Sequence, residues 1–169
     1  MRAADGSAFE QFVAARSDDL MRLAVLLAAD RGHAEDLVQT ALVKAYRHWG
    51  RITADDPYPY VRRVLVTSAA SWRRRRVTQE IVDLPAHDPA GPDDTDAVAE
   101  RHRVADALDT LPARMRAVLV LRYAEDLSEA ATAQALGCSV HTVRSQTTRG
   151  LARLRAVLGA ERATVLEEC

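Results

Sequence analysis

A set of hydrogen-bonding and basic side chains follows a short glycine-containing segment in the second half of the chain. Its members are Ser139, His141, Thr142, Arg144, Ser145, Thr148 and Arg149. On one helix these groups would present donors and acceptors suited to base edges and phosphates in a major groove. The set therefore predicts a surface for duplex DNA, and a helical hairpin in a solvated bundle is the plainer alternative.

The residues around this set have the spacing of a helix-turn-helix within segment 128–149. Ala133 would lie where two helices cross, Gly137 in the turn between them, and Val143 on the second helix above the crossing. A glycine in a tight turn reaches left-handed backbone angles without a Cβ clash. Ser139 is a natural N-cap. The pattern predicts a helix that begins next to Ser139 and carries the polar set.

A second basic cluster lies on a predicted helix in the first half of the chain. It consists of Arg62, Arg63, Trp72, Arg73, Arg74, Arg75 and Arg76, with Trp49, Tyr58 and Tyr60 in the segment leading into the helix. Guanidinium groups follow phosphates while rings stack on exposed bases, so the mixture suits single-stranded or locally opened nucleic acid. A solvated helix end with aromatic core residues is the alternative, but the clustering favours binding.

Composition predicts a soluble helical protein. Of the 169 residues, 48% are hydrophobic, 28% are charged and 5% are aromatic. There is no apolar run of membrane-spanning length and no signal-peptide pattern, so a cytoplasmic protein is expected. Cys138 and Cys169 are too few for a disulfide framework. The sequence contains no recognisable metal-ligand set, and we expect neither a metal nor another cofactor.

The fold class predicted is all-α, with two small helical domains joined by an acidic flexible linker. The net charge of -1 conceals a segregation, because segment 77–98 contains six acidic residues, four Pro and Gly residues, and no Lys or Arg. The expected organisation is a three-helix domain over 7–76, the linker over 77–98, a four-helix domain over 99–158 and a short tail over 159–169.

Within the first domain, a capping box at Ser7 predicts the start of the first helix, which should end near Gly32. Glu35 and Asp36 are expected in the first turn of the second helix, where the helix dipole favours acidic groups. Asp56 should cap a third helix.

The second domain should contain a helix stopped by Pro112, a continuous helix through Met115 and Tyr123, and two further helices that begin near Ser128 and Ser139. No alternating strand pattern of useful length is present.

Two segments closely resemble the extracytoplasmic-function (ECF) group of bacterial sigma factors, and most of all its SigE-like subfamily. AEDLVQTALVKAYRHW resembles the polymerase-binding helix of that group, and LGCSVHTVRSQTTRGLARLR resembles its promoter-reading helix pair. The resemblance implies sigma region 2 in the first domain and sigma region 4 in the second. It also implies a non-enzymatic subunit with core RNA polymerase and promoter DNA as partners, and an anti-sigma factor as a further partner.

The resemblance carries over to particular positions. It implies polymerase binding by Glu35, Asp36, Leu37, Gln39, Thr40 and Leu42. It implies recognition and melting of the minus-ten element by Trp49, Tyr58, Tyr60, Arg62, Arg63, Thr67, Ser71, Trp72, Arg73, Arg74, Arg75 and Arg76. It implies recognition of the minus-thirty-five element by the set from Ser139 to Arg149 described above.

Some positions depart from the pattern of the group. Thr67 replaces a common Asn and has a single donor, and His141 stands where Gly is frequent. Arg144 lies near a usual Lys position and retains the capacity for phosphate or bidentate guanine contacts. Thr132 occupies a position that is usually apolar.

Three other functions are compatible with parts of the sequence. A stand-alone helix-turn-helix regulator would use the second domain and leave the first unexplained. A helical enzyme would have to use the scattered histidines His33, His48, His87, His102 and His141, which have no nucleophile-base spacing. A helical scaffold would bind a basic partner through its acidic linker.

Overall fold

The computed structural model of the chain describes residues 3–28, 31–52, 56–79 and 96–159, and in this part of the chain the regular structure is helical, with no strand. The predicted all-α class is therefore confirmed. The predicted tail from 160 onward and residues 80–95 of the predicted linker lie outside the described residues.

The N-terminal helical unit contains α1 (Ala3–Leu27), α2 (Arg31–Arg47) and α3 (Tyr58–Gln79), with a short 3-10 turn at Trp49–Arg51. α2 packs against both α1 and α3. The packing depends on small and aliphatic residues at helical spacing, because their side chains project to one face of each helix. The fully buried residues Leu20, Ala41 and Leu65 represent the three helices in this core.

The C-terminal helical unit contains α4 (Asp96–Asp109), α5 (Ala113–Leu119), α6 (Glu129–Leu136) and α7 (Val140–Leu158). A π-helical turn, Val120–Ala124, follows α5 directly. α7 packs against α5 and α6. The close approach of α5 and α7 depends on Gly150, since a Cβ at this position would lie 2.9 Å from both Leu119 Cδ1 and Met115 Cγ.

Several predicted helix ends are corrected. α1 begins at Ala3, so Ser7 lies inside it, because the alanine-containing residues before Ser7 also favour helix. α1 ends at Leu27, and α2 already begins at Arg31. Glu35 and Asp36 therefore lie beyond its first turn, where Glu35 Oε1 accepts a hydrogen bond from Arg31 Nε at 3.3 Å.

Other helix boundaries in the structure also differ from the predicted ones. α3 runs to Gln79 and α4 begins at Asp96, so the helices extend into both ends of the predicted linker, where no Pro or Gly stops them. The predicted continuous helix through Met115 and Tyr123 changes to π-helical geometry at Val120. The predicted cap of α3 is confirmed, because Asp56 Oδ1 accepts a hydrogen bond from Tyr58 N at 3.0 Å.

The two units form one packed body. α1 contacts α4, and α3 contacts α5 and α6, so a single apolar cluster extends from Phe12 to Leu154. The buried Arg116 joins the units by a polar contact: its Nη1 donates to Leu27 O at 3.0 Å, and its Nη2 donates to Asp109 Oδ1 at 2.6 Å. A cation at this carbonyl also complements the negative end of the α1 dipole. In the described arrangement, called closed below, the N-terminal and C-terminal units are therefore in direct contact.

Candidate nucleic-acid interface

The helix-turn-helix is built by short-range interactions. Gly137 ends α6 with a φ of 62°, the left-handed conformation expected of a glycine in this turn. Ser128 Oγ accepts a hydrogen bond from Ala131 N, and Ser139 Oγ accepts one from Thr142 N, each at 3.1 Å. Ala133 and Val143 are buried in a common apolar cluster. The predicted motif and the predicted cap at Ser139 are confirmed, and the structure adds a second cap at Ser128.

The start of α7 presents most of the predicted base-reading set to solvent. His141, Arg144, Thr148 and Arg149 are exposed, whereas Thr142 and Ser145 are half-buried. Thr148 Oγ1 donates to Arg144 O at 3.1 Å, and Ser145 Oγ donates to Thr142 O at the same distance. Each hydroxyl oxygen retains lone pairs that can accept a further hydrogen bond. This helix face can therefore offer cations, donors and acceptors to a nucleic acid.

An acidic neighbour holds Arg144 at the helix surface. Arg144 Nε donates to Glu129 Oε2 at 2.7 Å, and the two side chains are 66% and 36% exposed. An exposed pair of this kind contributes about 0.2–1 kcal/mol, so a competing phosphate or base could displace the carboxylate. Glu129 lies on α6, so the contact sets the orientation of the guanidinium relative to the turn.

The α2 surface contains most of the predicted polymerase-binding residues. Glu35, Asp36, Gln39 and Thr40 are exposed and Leu42 is half-buried. Leu37 lies in the core with 3% exposure, so it is not available at the surface with the others. Its burial follows from the helical spacing of Ala34, Leu37 and Ala41, which share the inner face.

Two exposed residues on α2, Val43 and Tyr46, are not among the polymerase-binding residues predicted from the sequence. Val43 is 47% exposed and Tyr46 is 40% exposed. Val43 lies four residues after Gln39, so the two share one helix face. An apolar residue at the helical spacing of a polar face was the signal in the sequence that could have identified Val43 as part of this surface.

Two of the aromatic residues expected to stack on bases pack against the core of the N-terminal unit. Trp49 packs edge-on against Phe9, with ring centroids 5.0 Å apart, and also contacts Phe12 at 5.3 Å. Tyr60 is half-buried against the same core. In this closed arrangement Trp49 and Tyr60 are packing residues.

Tyr58 and Arg62, both in the predicted minus-ten set, contact the C-terminal unit. Tyr58 Oη donates to Glu125 Oε1 at 3.0 Å, and Arg62 Nη1 donates to Glu125 Oε2 at 3.1 Å. Arg62 also lies over the Tyr58 ring, 5.6 Å from its centroid. Burial and the negative charge of Glu125 raise the pKa of Tyr58 far above its usual range, so the phenol remains a donor. Glu125 could not be found from sequence periodicity, since its partners are distant in the chain.

The outer part of α3 carries further predicted residues. Arg63 and Thr67 are exposed, and Thr67 Oγ1 donates to Arg63 O at 2.8 Å. Ser71 Oγ donates to Thr67 O at 2.9 Å. The side chains of Trp72 and of Arg73 to Arg76 lie outside the described residues, although α3 includes their backbone.

A cavity of about 500 Å³ lies between α3 and the helix-turn-helix, which also contact each other through α6. Thr67 and Ser71 line it from the N-terminal unit, whereas Cys138, Thr142 and Gln146 line it from the C-terminal unit. Residues predicted to contact two different DNA elements therefore face the same partly open space. No group of three or more potential metal ligands occurs among the described residues, and no described helix is long and apolar enough to span a membrane.

These features define a class of protein: an all-α chain of two helical units, one with an exposed polar helix face and the other with a helix-turn-helix. Comparisons with known proteins agree with this class. Residues 12–79 match sigma-70 region 2, and residues 101–154 match sigma-70 region 4. RNA polymerase sigma-E factor of Streptomyces avermitilis is 41% identical over 152 residues, which cover 89% of this chain and 84% of that protein. ECF RNA polymerase sigma factor SigL of Mycobacterium tuberculosis is 31% identical over 146 residues, or 82% of each chain.

Solved structures show the same fold. The sigma factor RpoE of Bartonella quintana, in complex with the anti-sigma factor NepR, has a TM-score of 0.70 and 25% identity, covering 92% of this chain and 99% of that one. CnrH, in complex with the cytosolic domain of CnrY, has a TM-score of 0.66 and 26% identity, covering 92% and 90%. The chain belongs to the ECF group of the sigma-70 family. It is a sigma factor that directs promoter-specific transcription, and the stand-alone regulator is not favoured.

Proposed function

We propose that the chain binds core RNA polymerase through the exposed face of α2 and contacts promoter DNA through two separate surfaces. The helix-turn-helix would read the minus-thirty-five element through α7. The aromatic and basic residues of Trp49–Arg51 and α3 would recognise and open the minus-ten element. The observation that carries the proposal is the exposure of His141, Arg144, Thr148 and Arg149 on a capped helix directly after the turn.

The proposed action is binding without catalysis. Phosphodiester chemistry would belong to the polymerase, while the sigma factor contributes position through phosphate contacts and specificity through a few base contacts. The phosphate contacts would come from arginines of α3 and α7, and their contribution should decrease with salt. The site of action would be the cytoplasm, where the polymerase meets DNA. An anti-sigma factor is a further proposed partner, because the structural relative RpoE was solved with one.

Transcription by purified components tests this proposal. The chain would be added to core polymerase on genomic DNA, and start sites would be mapped with and without it. New, reproducible start sites are the expected result. Starts identical to those of core enzyme alone would overturn the proposal, and tight duplex binding without polymerase would instead favour a stand-alone regulator. If neutralising the acidic linker abolished function while the arginines were dispensable, a scaffold would be favoured.

Arg144→Ala tests the assignment of the reading helix. We expect promoter recognition to weaken by about 1–3 kcal/mol, because a charged contact to a base or phosphate is lost. Polymerase binding in a pull-down should remain unchanged, since Arg144 is on α7 and the proposed polymerase face is on α2. A loss of the same size in both assays would contradict this division of roles.

Asp36→Ala tests the other surface with the opposite expectation. Asp36 is exposed on α2, so its removal should reduce capture of core polymerase without altering the fold. Exposed Asp106, on α4, provides a matched control when changed to Ala, because it removes an acidic group from the other unit. An unchanged pull-down for Asp36→Ala would remove this residue from the proposed interface.

A further inference from the structure

We infer that Glu125 is an autoinhibitory latch that competes with promoter DNA for Tyr58 and Arg62. This inference rests on the proposed function, because it assigns these two residues to the minus-ten surface. In the closed arrangement both oxygens of the Glu125 carboxylate are used. Oε1 accepts from the Tyr58 phenol at 3.0 Å, and Oε2 accepts from the Arg62 guanidinium at 3.1 Å.

The chemistry of this contact resembles that of a bound phosphate. A phosphodiester and a carboxylate each present a negative charge and two acceptor oxygens, which suit a planar guanidinium and a hydroxyl donor. The Arg62 and Glu125 side chains are each 14% exposed, so the pair is largely shielded from solvent. Neither donor can give the same hydrogen bond to DNA while Glu125 holds it. Closure and minus-ten contact through these groups therefore exclude each other.

The local backbone holds Glu125 in place. The π-helical turn ends at Ala124, and Glu125 N donates to Val120 O at 3.1 Å. On the other side, Leu127 N donates to Leu121 O at 3.0 Å, and Asp126 has a positive φ of 48°. The carboxylate therefore projects from a tightly bonded turn, which reduces the conformational entropy lost when the contact forms.

One residue of the second reading surface also faces the space between the units. Thr142 of the reading helix lines the partly open cavity of about 500 Å³ opposite Thr67 and Ser71 of α3. Thr142 is half-buried there, whereas His141, Arg144, Thr148 and Arg149 are exposed in the closed arrangement. Opening at Glu125 would therefore uncover Thr142 together with the minus-ten surface, while most of the α7 face is accessible in both arrangements.

A distance measurement on the full chain tests the latch without using polymerase or DNA. Spin labels would be placed by Ala15→Cys on α1 and Ala152→Cys on α7, both exposed positions, in a Cys138→Ser/Cys169→Ser background. Glu125→Gln keeps an acceptor for Tyr58 but removes the charge that pairs with Arg62. We expect the ratio of open to closed molecules to rise by about 10- to 150-fold, the range for hydrogen bonds to charged groups.

Matched variants separate the latch from general effects. Asp106→Asn removes one negative charge from an exposed position of the same unit and should leave the distance distribution unchanged. Glu125→Arg should open the chain, and combining it with Arg62→Glu should restore closure by exchanging the charges. Circular dichroism would confirm that each variant retains its helix content. An unchanged distribution in Glu125→Gln, or no recovery in the exchanged pair, would overturn the latch.

A transcription assay then tests whether the latch inhibits. At limiting core polymerase, Glu125→Gln should reach half-maximal transcription at a lower sigma concentration than the unsubstituted chain, by the factor measured for opening. Opening without this gain would overturn autoinhibition. Failure of the proposed function is distinguishable, because it would appear as an unsubstituted chain that produces no new start sites, whatever the distance distribution.

Discussion

Thr132 on α6 is a buried polar residue whose replacement should stabilise the protein. Its side chain is fully buried, and its Oγ1 has no hydrogen-bond partner within the described part of the chain. Thr132→Val keeps the branched shape and replaces the hydroxyl by a methyl group. Since an unsatisfied buried hydroxyl costs about 1–3 kcal/mol, we expect the free energy of unfolding to rise by about 1–2 kcal/mol. For a chain of this size that corresponds to an increase in Tm of about 2–8 °C.

Urea unfolding followed by circular dichroism measures this effect, with Thr147→Val as the matched control. Thr147 lies on α7, and its Oγ1 donates to Val143 O at 2.9 Å. The same isosteric change there removes a satisfied hydroxyl and should give no gain. An unchanged or reduced free energy of unfolding for Thr132→Val would refute the reasoning, because the hydroxyl would then have a compensating partner.

Two further predictions concern packing and pH. Gly150→Ala should lower the free energy of unfolding by about 1 kcal/mol in urea unfolding, because contacts at 2.9 Å with Leu119 and Met115 outweigh the helix propensity of Ala. Gly6→Ala, which meets nothing within 4 Å in α1, should instead be stabilising, and the same sign for both would contradict the packing argument. For Tyr58, the raised pKa means that closure favours the protonated phenol, so the closed fraction should fall as the pH rises above the usual value of 10.0. Double-label distances against pH would show this, and the same fall in Tyr58→Phe would contradict it.

The helix-turn-helix could be predicted residue by residue because its determinants are local. The left-handed turn at Gly137 and the cap at Ser139 depend on interactions within a few residues. The buried positions of Ala133 and Val143 follow from the same short segment. The helix ends near the linker were predicted less well, since neighbouring residues without strong helix breakers allow a helix to extend by a turn.

The contacts between the units could not be predicted in the same way. Glu125 meets Tyr58 and Arg62 across more than sixty positions of the chain, and no periodicity relates residues at that separation. The burial of Trp49 likewise depends on Phe9 and Phe12 of another helix. The sequence identifies which groups suit nucleic acid, but only the packing determines which of them are already occupied.

The occupation of these groups by a carboxylate follows from a general property of protein surfaces that bind nucleic acids. A guanidinium and a phenol placed to bind phosphate also bind a carboxylate, so an acidic residue tethered nearby competes with DNA. Residues 80–95 join α3 to α4, and sixteen residues reach at most about 55 Å, which allows both a closed and an extended chain. Because tethering gives an effective concentration of about millimolar, even a weak contact can keep the units closed. Polymerase would open the chain if it binds the separated units more favourably than the closed units by more than the free energy of the Glu125 contact. A contact of modest free energy can therefore inhibit the free protein without preventing activation.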